Sequence, residues 1–150
     1  MTTSEALKSK TDATETPRPR RILRRVGAVL AGLFVVAILD LSIDAAMHAT
    51  GVYPPWFQPM VTPLWFLAIG YRALDGIIGG YIAGRLAPDR PVKHALALGI
   101  VGVVLATGGV LATWTKGPEL GPKWYPLALV VIALPCALIG GKLASRKTSN

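Results

Sequence analysis

Hydrophobic residues in this chain fall into four long blocks, Val26 to His48, Leu64 to Leu86, His94 to Trp114 and Trp124 to Leu143, each 20 to 23 residues long. A helix of about 20 residues crosses the roughly 30 Å hydrocarbon layer of a bilayer. Within that layer the backbone must satisfy its own polar groups, so long unbroken apolar runs suit helices. The alternating ten-residue strands of a membrane barrel would look different. The pattern predicts an all-α membrane protein, a bundle of four transmembrane helices over 26–48, 64–86, 94–114 and 124–143. It predicts a basic disordered tail over 1–25, a transmembrane domain over 26–145 and a short tail over 146–150.

Proline and glycine divide along the same boundaries. Eleven of the twelve prolines lie in tails, loops or first turns; Pro135 alone falls in the middle of a block, where it frees the Val131 carbonyl and predicts a kink. Thirteen of the sixteen glycines lie within or at the ends of the blocks, where small residues let helix backbones approach. Gly76, Gly80 and Gly84, four apart, form one stripe, and Gly99, Gly102, Ala106 and Gly109 offer a comparable groove. The stripe reads first as packing within the bundle and second as a seam between copies. The two halves are faintly alike, with Pro63-Leu64 and Ile77-Ile78-Gly79-Gly80 answered by Pro126-Leu127 and Leu138-Ile139-Gly140-Gly141, as a parallel duplication would give.

Composition sharpens the class. Apolar residues make up 52% of the chain and charged residues 16%, against about 25% charged in an ordinary soluble domain. The loops and tails left over by four crossings cannot build a soluble enzyme of useful size. A net charge of +8 raises nucleic acid as a partner, but the positions of the cations point to the membrane instead. Thirteen of the sixteen Lys and Arg lie in the two tails, in the loop between blocks 2 and 3 or at the block ends beside them (Arg85, Lys142), two lie in the other loops (Lys116, Lys123), and Arg72 is well inside a block. By the positive-inside rule both termini are cytoplasmic. The four tryptophans, Trp56, Trp65, Trp114 and Trp124, gather at the opposite face, as interfacial aromatics do. The expected location is the inner (plasma) membrane. The first block is too long for a signal peptide, carries Asp40 and Asp44, and lacks a small-residue cleavage pattern. The basic run Arg18 to Arg25 reads first as a topology determinant and second as a contact for anionic lipid. The loop Tyr53 to Pro59 reads as a lipid anchor or a cap on the bundle.

Four ionisable residues lie well inside the blocks: Asp40, Asp44, Arg72 and Asp75. Such residues are costly in hydrocarbon and mark candidate sites. Asp40, Asp44 and His48, at intervals of four, share one face of helix 1; Arg72 and Asp75 share a face of helix 2. Depth arithmetic from the block midpoints puts Asp40 and Arg72 level, each about 4.5 Å outward, with Asp44 one turn above and Asp75 one turn below. An Asp40–Arg72 pair is expected. Three carboxylates against one guanidinium leave two negative charges over, so a carboxyl keeps its proton or a cation fills the gap.

Two functional classes follow. In one, a structural or accessory subunit, the cluster ties helix 1 to helix 2. In the other, a proton- or cation-coupled transporter, it faces a cleft open to the outside with Asp75 as the inner station. A metal site on Asp40, Asp44 and His48 is a third reading on weaker spacing; no metal or cofactor is expected. His94 reads as interfacial, beside Lys93. The single cysteine, Cys136, reads as a buried filler. With no G-x-S-x-G, P-loop, H-E-x-x-H or C-x-x-C motif, no enzymatic activity is expected. The expected partners are the lipid bilayer and either a second copy or another membrane protein.

The run Gly79-Gly80-Tyr81-Ile82-Ala83-Gly84-Arg85-Leu86-Ala87-Pro88, the segment His94-Ala95-Leu96-Ala97-Leu98-Gly99, Trp124-Tyr125-Pro126 and Pro135-Cys136-Ala137-Leu138-Ile139-Gly140-Gly141 together resemble a family of small uncharacterised bacterial four-helix integral membrane proteins. The resemblance covers about the last 80 residues. It implies a bacterial inner-membrane protein and supplies no activity or site residue.

Overall fold

The computed structural model describes residues 18–117 and 120–147. They form four α-helices, α1 (Arg18–Ala49), α2 (Thr62–Leu86), α3 (Pro91–Thr113) and α4 (Trp124–Arg146), with no strand among the described residues. Each is long and apolar enough to cross a membrane, and the chain is an all-α bundle of the multi-pass type. Residues 1–17, expected to be disordered, lie outside the described residues.

The helices overrun the hydrophobic blocks. Helix α1 starts at Arg18, so residues 18–25, expected in the tail, are helical instead. Arginine and leucine are good helix formers, and the proline at position 19 falls in the first turn, where its missing amide costs no bond. Those eight residues add about 12 Å of helix beyond the hydrophobic block. Helix α3 begins at Pro91, three residues early, with Arg90 before it in the left-handed region (φ 45°). Helix α4 continues past Leu143 to Arg146 and carries Pro135 within it.

Contacts between helix ends fix the antiparallel order. The Arg25 guanidinium near the start of α1 meets Asp89 in the α2–α3 loop, and Gly84 near the end of α2 lies against Ala144 near the end of α4. The start of α1, the end of α4 and the α2–α3 loop therefore share one end of the bundle, here the terminal end. The α1–α2 and α3–α4 loops form the distal end.

The terminal half is built from glycine and alanine. Helices α2 and α4 run parallel and pack in step along their length: Gly76 meets Cys136, Gly80 meets Ala137 and Gly84 meets Ala144, while Gly140 meets Ile77. Each helix thus lays a small-residue row, Gly76-Gly80-Gly84 on one side and Cys136-Gly140-Ala144 on the other, into its partner. A Cβ at Gly80 would overlap the Ala137 carbonyl oxygen and sit 2.8 Å from its Cα; one at Gly140 would overlap the Ile77 carbonyl. The glycine stripe is spent inside the chain, in the first of its two readings. The faint likeness between α2 and α4 has a physical counterpart in this crossing, where Gly80 and Gly140 play reciprocal parts.

Two further crossings complete this layer. Gly32 of α1 meets Gly79 and Ala83 of α2, and a Cβ at Gly32 would come within 2.7 Å of the Gly79 carbonyl. On the other side, Gly141 of α4 meets Ala95 of α3, and Gly99 of α3 meets Leu134 and Ala137. Helix α4 packs on both α2 and α3, whereas α1 packs on α2 and only lightly on α3. Farther out, the glycine row of α3 runs into open space: Gly108 and Gly109 have no neighbour within 4 Å of a Cβ position.

Candidate functional site

Asp40 and Asp44 stand one turn apart on α1 and face Arg72 on α2, and the guanidinium fork reaches both. One terminal nitrogen donates to Asp44 at 2.6 Å and the other to Asp40 at 3.3 Å. The Asp40–Arg72 pair expected from depth arithmetic forms, but the shorter bond goes to Asp44. A planar donor fork matches two carboxylates spaced by a helical turn in a way that an ammonium could not.

The second oxygen of Asp44 accepts a short hydrogen bond from the Tyr71 hydroxyl, so Asp44 is held by two consecutive residues of α2. The Tyr71 ring also lies beside the guanidinium, 5.7 Å from its centre. Sequence reasoning missed Tyr71. Its position next to Arg72 and four residues before Asp75 was the available signal, but a tyrosine in a hydrophobic block reads as apolar filling until its hydroxyl has a partner.

Asp75 lies one turn below Arg72 on α2 and is 2% exposed. Asp40 Oδ1 and Asp75 Oδ2 are buried without a hydrogen-bond partner, as are Arg72 Nε and the Tyr53 hydroxyl. Of the four predicted charges, Asp40, Asp44 and Arg72 are joined by hydrogen bonds, and Asp75 stands one turn farther inward on α2, buried.

His48 is placed differently. Its Nδ1 donates to the Pro54 carbonyl at 2.7 Å and its ring stacks on Trp56 with centroids 3.7 Å apart. It organises the α1–α2 loop and does not join Asp40 and Asp44, which are turned to Arg72. Among the described residues no group of three His, Cys, Asp or Glu side chains could hold a metal ion, so the three do not form a ligand set. His94, expected at the interface, is buried near the start of α3 with its Nδ1 3.3 Å from the Arg90 carbonyl. Cys136 is buried and free, at the α2–α4 crossing.

Above the cluster the distal end opens into a cleft of about 450 Å³, whose walls include His48, Trp65, Tyr71 and Tyr125 and whose floor is Asp44 and Arg72. The α1–α2 loop forms one side. Tyr53 tucks in, 3% exposed, while Trp56 and Phe57 point outward, 60% and 78% exposed; the loop caps the bundle and presents its aromatics to the surroundings at once. Gly121 is indispensable on the other side: its φ is +95°, and a Cβ there would overlap the Trp65 ring. A second, more apolar cavity of about 280 Å³ lies deeper, bounded by Leu33, Val36, Gly102 and Ala133, with Asp40 and Arg72 on its wall. Arg72 lines both spaces and stands between them. Its side chain and those of Asp40 and Asp44 are 25%, 23% and 21% exposed, whereas Asp75 lines neither space.

No family model, curated protein or solved structure matches this chain. The family resemblance stands on the quoted sequence motif alone, and the function is argued from the site.

Proposed function

We propose that this is a small non-enzymatic multi-pass protein of the bacterial inner membrane, with both termini cytoplasmic, acting as a structural or accessory subunit in which Arg72 locks α1 to α2. The observation that carries this reading is the pair of hydrogen-bonded ion pairs that one guanidinium makes, to Asp40 and to Asp44. Helix α1 packs on the rest of the bundle through α2 almost alone, so a tie at mid-length on that interface is where a lock is needed. The sealing of Asp75 supports it, because a station for a transported ion needs a path and the distal cleft stops at Asp44 and Arg72. The orientation rests on the excess of cations at the terminal end. Reporter fusions at Asn150 and near Gly117 test it; an externally active reporter at Asn150 reverses it.

A second reading, proton- or cation-coupled transport, is favoured by one feature: the cleft leads to Asp44 and Arg72, Asp40 lines the cavity on the other side of that guanidinium, and a further carboxylate, Asp75, is buried one turn inward. One experiment separates the two. In vesicles holding the purified chain, the lock predicts no flux of protons or monovalent cations above that of empty vesicles, and none changed by Asp75→Asn. A gradient-driven flux that Asp75→Asn abolishes while the fold survives establishes transport and overturns the lock as the main role.

A further inference from the structure

The light packing of α1 on α3 leaves a groove between them at the terminal end, with a volume of about 680 Å³. Its rim carries Arg25 from α1 and Arg90 and Lys93 from the start of α3, and its floor is Val26, Val29 and Leu30. Asp89 also lines it, bound at 2.6 and 3.2 Å by the Arg25 fork. Arg25 and Arg21 hold its carboxyl below the usual carboxylate range. Three cations against one carboxylate leave an excess of two positive charges at the mouth.

The groove does not end at its rim. Through Leu30 it runs into an apolar furrow on α1 that includes Phe34 and Ala37. Leu30 to Ala37 is about 10 Å of helix toward the bilayer centre. Leu30 and Phe34 are 56% and 66% exposed, which is where an acyl chain would lie. A cationic mouth at headgroup level joined to an apolar track is the shape and charge pattern of one molecule class.

We propose that this α1–α3 groove is a binding site for an anionic phospholipid, with the phosphate of its headgroup between Arg90 and Lys93 and an acyl chain along Leu30 and Phe34. Basic pockets between transmembrane helices recognise anionic headgroups by this combination of local charge and adjacent hydrocarbon. The furrow selects a lipid over free phosphate, which has nothing to place there. The site is independent of the role assigned to Arg72.

The test uses the full chain in phosphatidylcholine vesicles containing a trace of spin-labelled phosphatidylglycerol or spin-labelled phosphatidylcholine, and reads the fraction of each label immobilised on the protein. The expected preference for phosphatidylglycerol is several-fold. It falls by up to about fivefold for each rim cation removed, in Lys93→Gln and further in Arg90→Asn with Lys93→Gln; asparagine suits the left-handed backbone of position 90. The matched control, Lys142→Gln with Arg146→Gln, removes two exposed cations from the same end and keeps the preference. Inorganic phosphate at constant ionic strength displaces neither label. The proposal is overturned if the rim variants keep the preference, if the control loses as much as they do, or if inorganic phosphate displaces the phosphatidylglycerol label.

Discussion

The terminal and distal halves of this bundle are held by different physics. In the terminal half, Gly32, Gly79, Gly80, Gly99, Gly140 and Gly141 bring backbones into contact, and buried Ala28, Ala83, Ala95 and Ala144 fill what remains. In the distal half a cleft of about 450 Å³ opens between the helices, and the interface of α1 with α2 adds to the packing of Ile43 and Met47 on Tyr53, Ala68 and Tyr71 the bonds of Arg72 and the Tyr71 hydroxyl to the α1 carboxylates. In lipid there is no hydrophobic force to press helices together, so close van der Waals packing and polar bonds are the two means available. Close backbone packing dominates the terminal half, and the distal half adds buried polar bonds. Close packing leaves little room at the backbone crossings, while the polar half keeps a cleft and buried unpartnered atoms beside the charged cluster.

The largest effect should come from adding bulk to the tight half. Gly80→Leu drives a side chain into the Ala137 backbone, which cannot give way as a flexible side chain would. Overpacking of this kind costs about 3 kcal/mol or more, and the expected outcome is loss of the monodisperse folded protein in detergent. A folded Gly80→Leu protein with the wild-type melting temperature would break the comparison at its base. Next comes Arg72→Met, which strands the carboxylates of Asp40 and Asp44. Removing one partner of a buried ion pair costs about 3–5 kcal/mol; since these side chains are a fifth to a quarter exposed, the lower end is expected. The measured quantities are the melting temperature and the distance between spin labels on α1 and α2, which should lengthen at the distal end and stay fixed near Gly32.

The division into halves was only partly legible in the sequence. Four apolar blocks and their prolines define four helices because length and hydropathy are local properties, and the glycine stripe of α2 announces a close crossing. Which helix it meets is not local. Gly80 and Ala137 come together because Cys136, Gly140 and Ala144 repeat the same spacing in α4, a match obscured by the large residues between them. The cluster was legible as a set, since charges in a hydrophobic block are conspicuous, but its internal order was not. Depth arithmetic placed Asp40 opposite Arg72, yet a long arginine spans a full helical turn and takes its shorter bond with Asp44. The groove between α1 and α3 was invisible, because residues 18–25 extend α1 as helix while the apolar block begins only at Val26.

A smaller effect, opposite in sign, sharpens the contrast along a single helix. Gly99 and Gly108 both lie on α3. A Cβ at Gly99 would sit 2.9 Å from Leu134 Cδ1 and 3.2 Å from its Cα, while one at Gly108 meets nothing within 4 Å. Gly108→Ala should therefore raise stability by about 0.5–1 kcal/mol through the lost freedom of the unfolded chain, and Gly99→Ala should lower it. Equal shifts of the same sign in thermal denaturation would show that α3 is packed alike along its length.

The smallest effect concerns charge in the half that depends on it least. The Arg25–Asp89 pair joins the start of α1 to the α2–α3 loop, but its side chains are 47% and 39% exposed, and exposed pairs contribute little. Because Arg25 holds the Asp89 carboxyl below its ordinary value, the tie is complete above the unfolded carboxyl pKa near 3.9 and is lost as the pH falls through the lower folded value. Spin labels at Leu23 and Leu96, both on exposed faces, should keep their separation from neutral pH down to about 4 and spread only below it. Asp89→Asn should show the wider separation at every pH. If acid instead spreads the Gly32–Gly79 crossing together with the start of α1, the terminal half relies on this ion pair after all, and the separation of close packing from charge fails there.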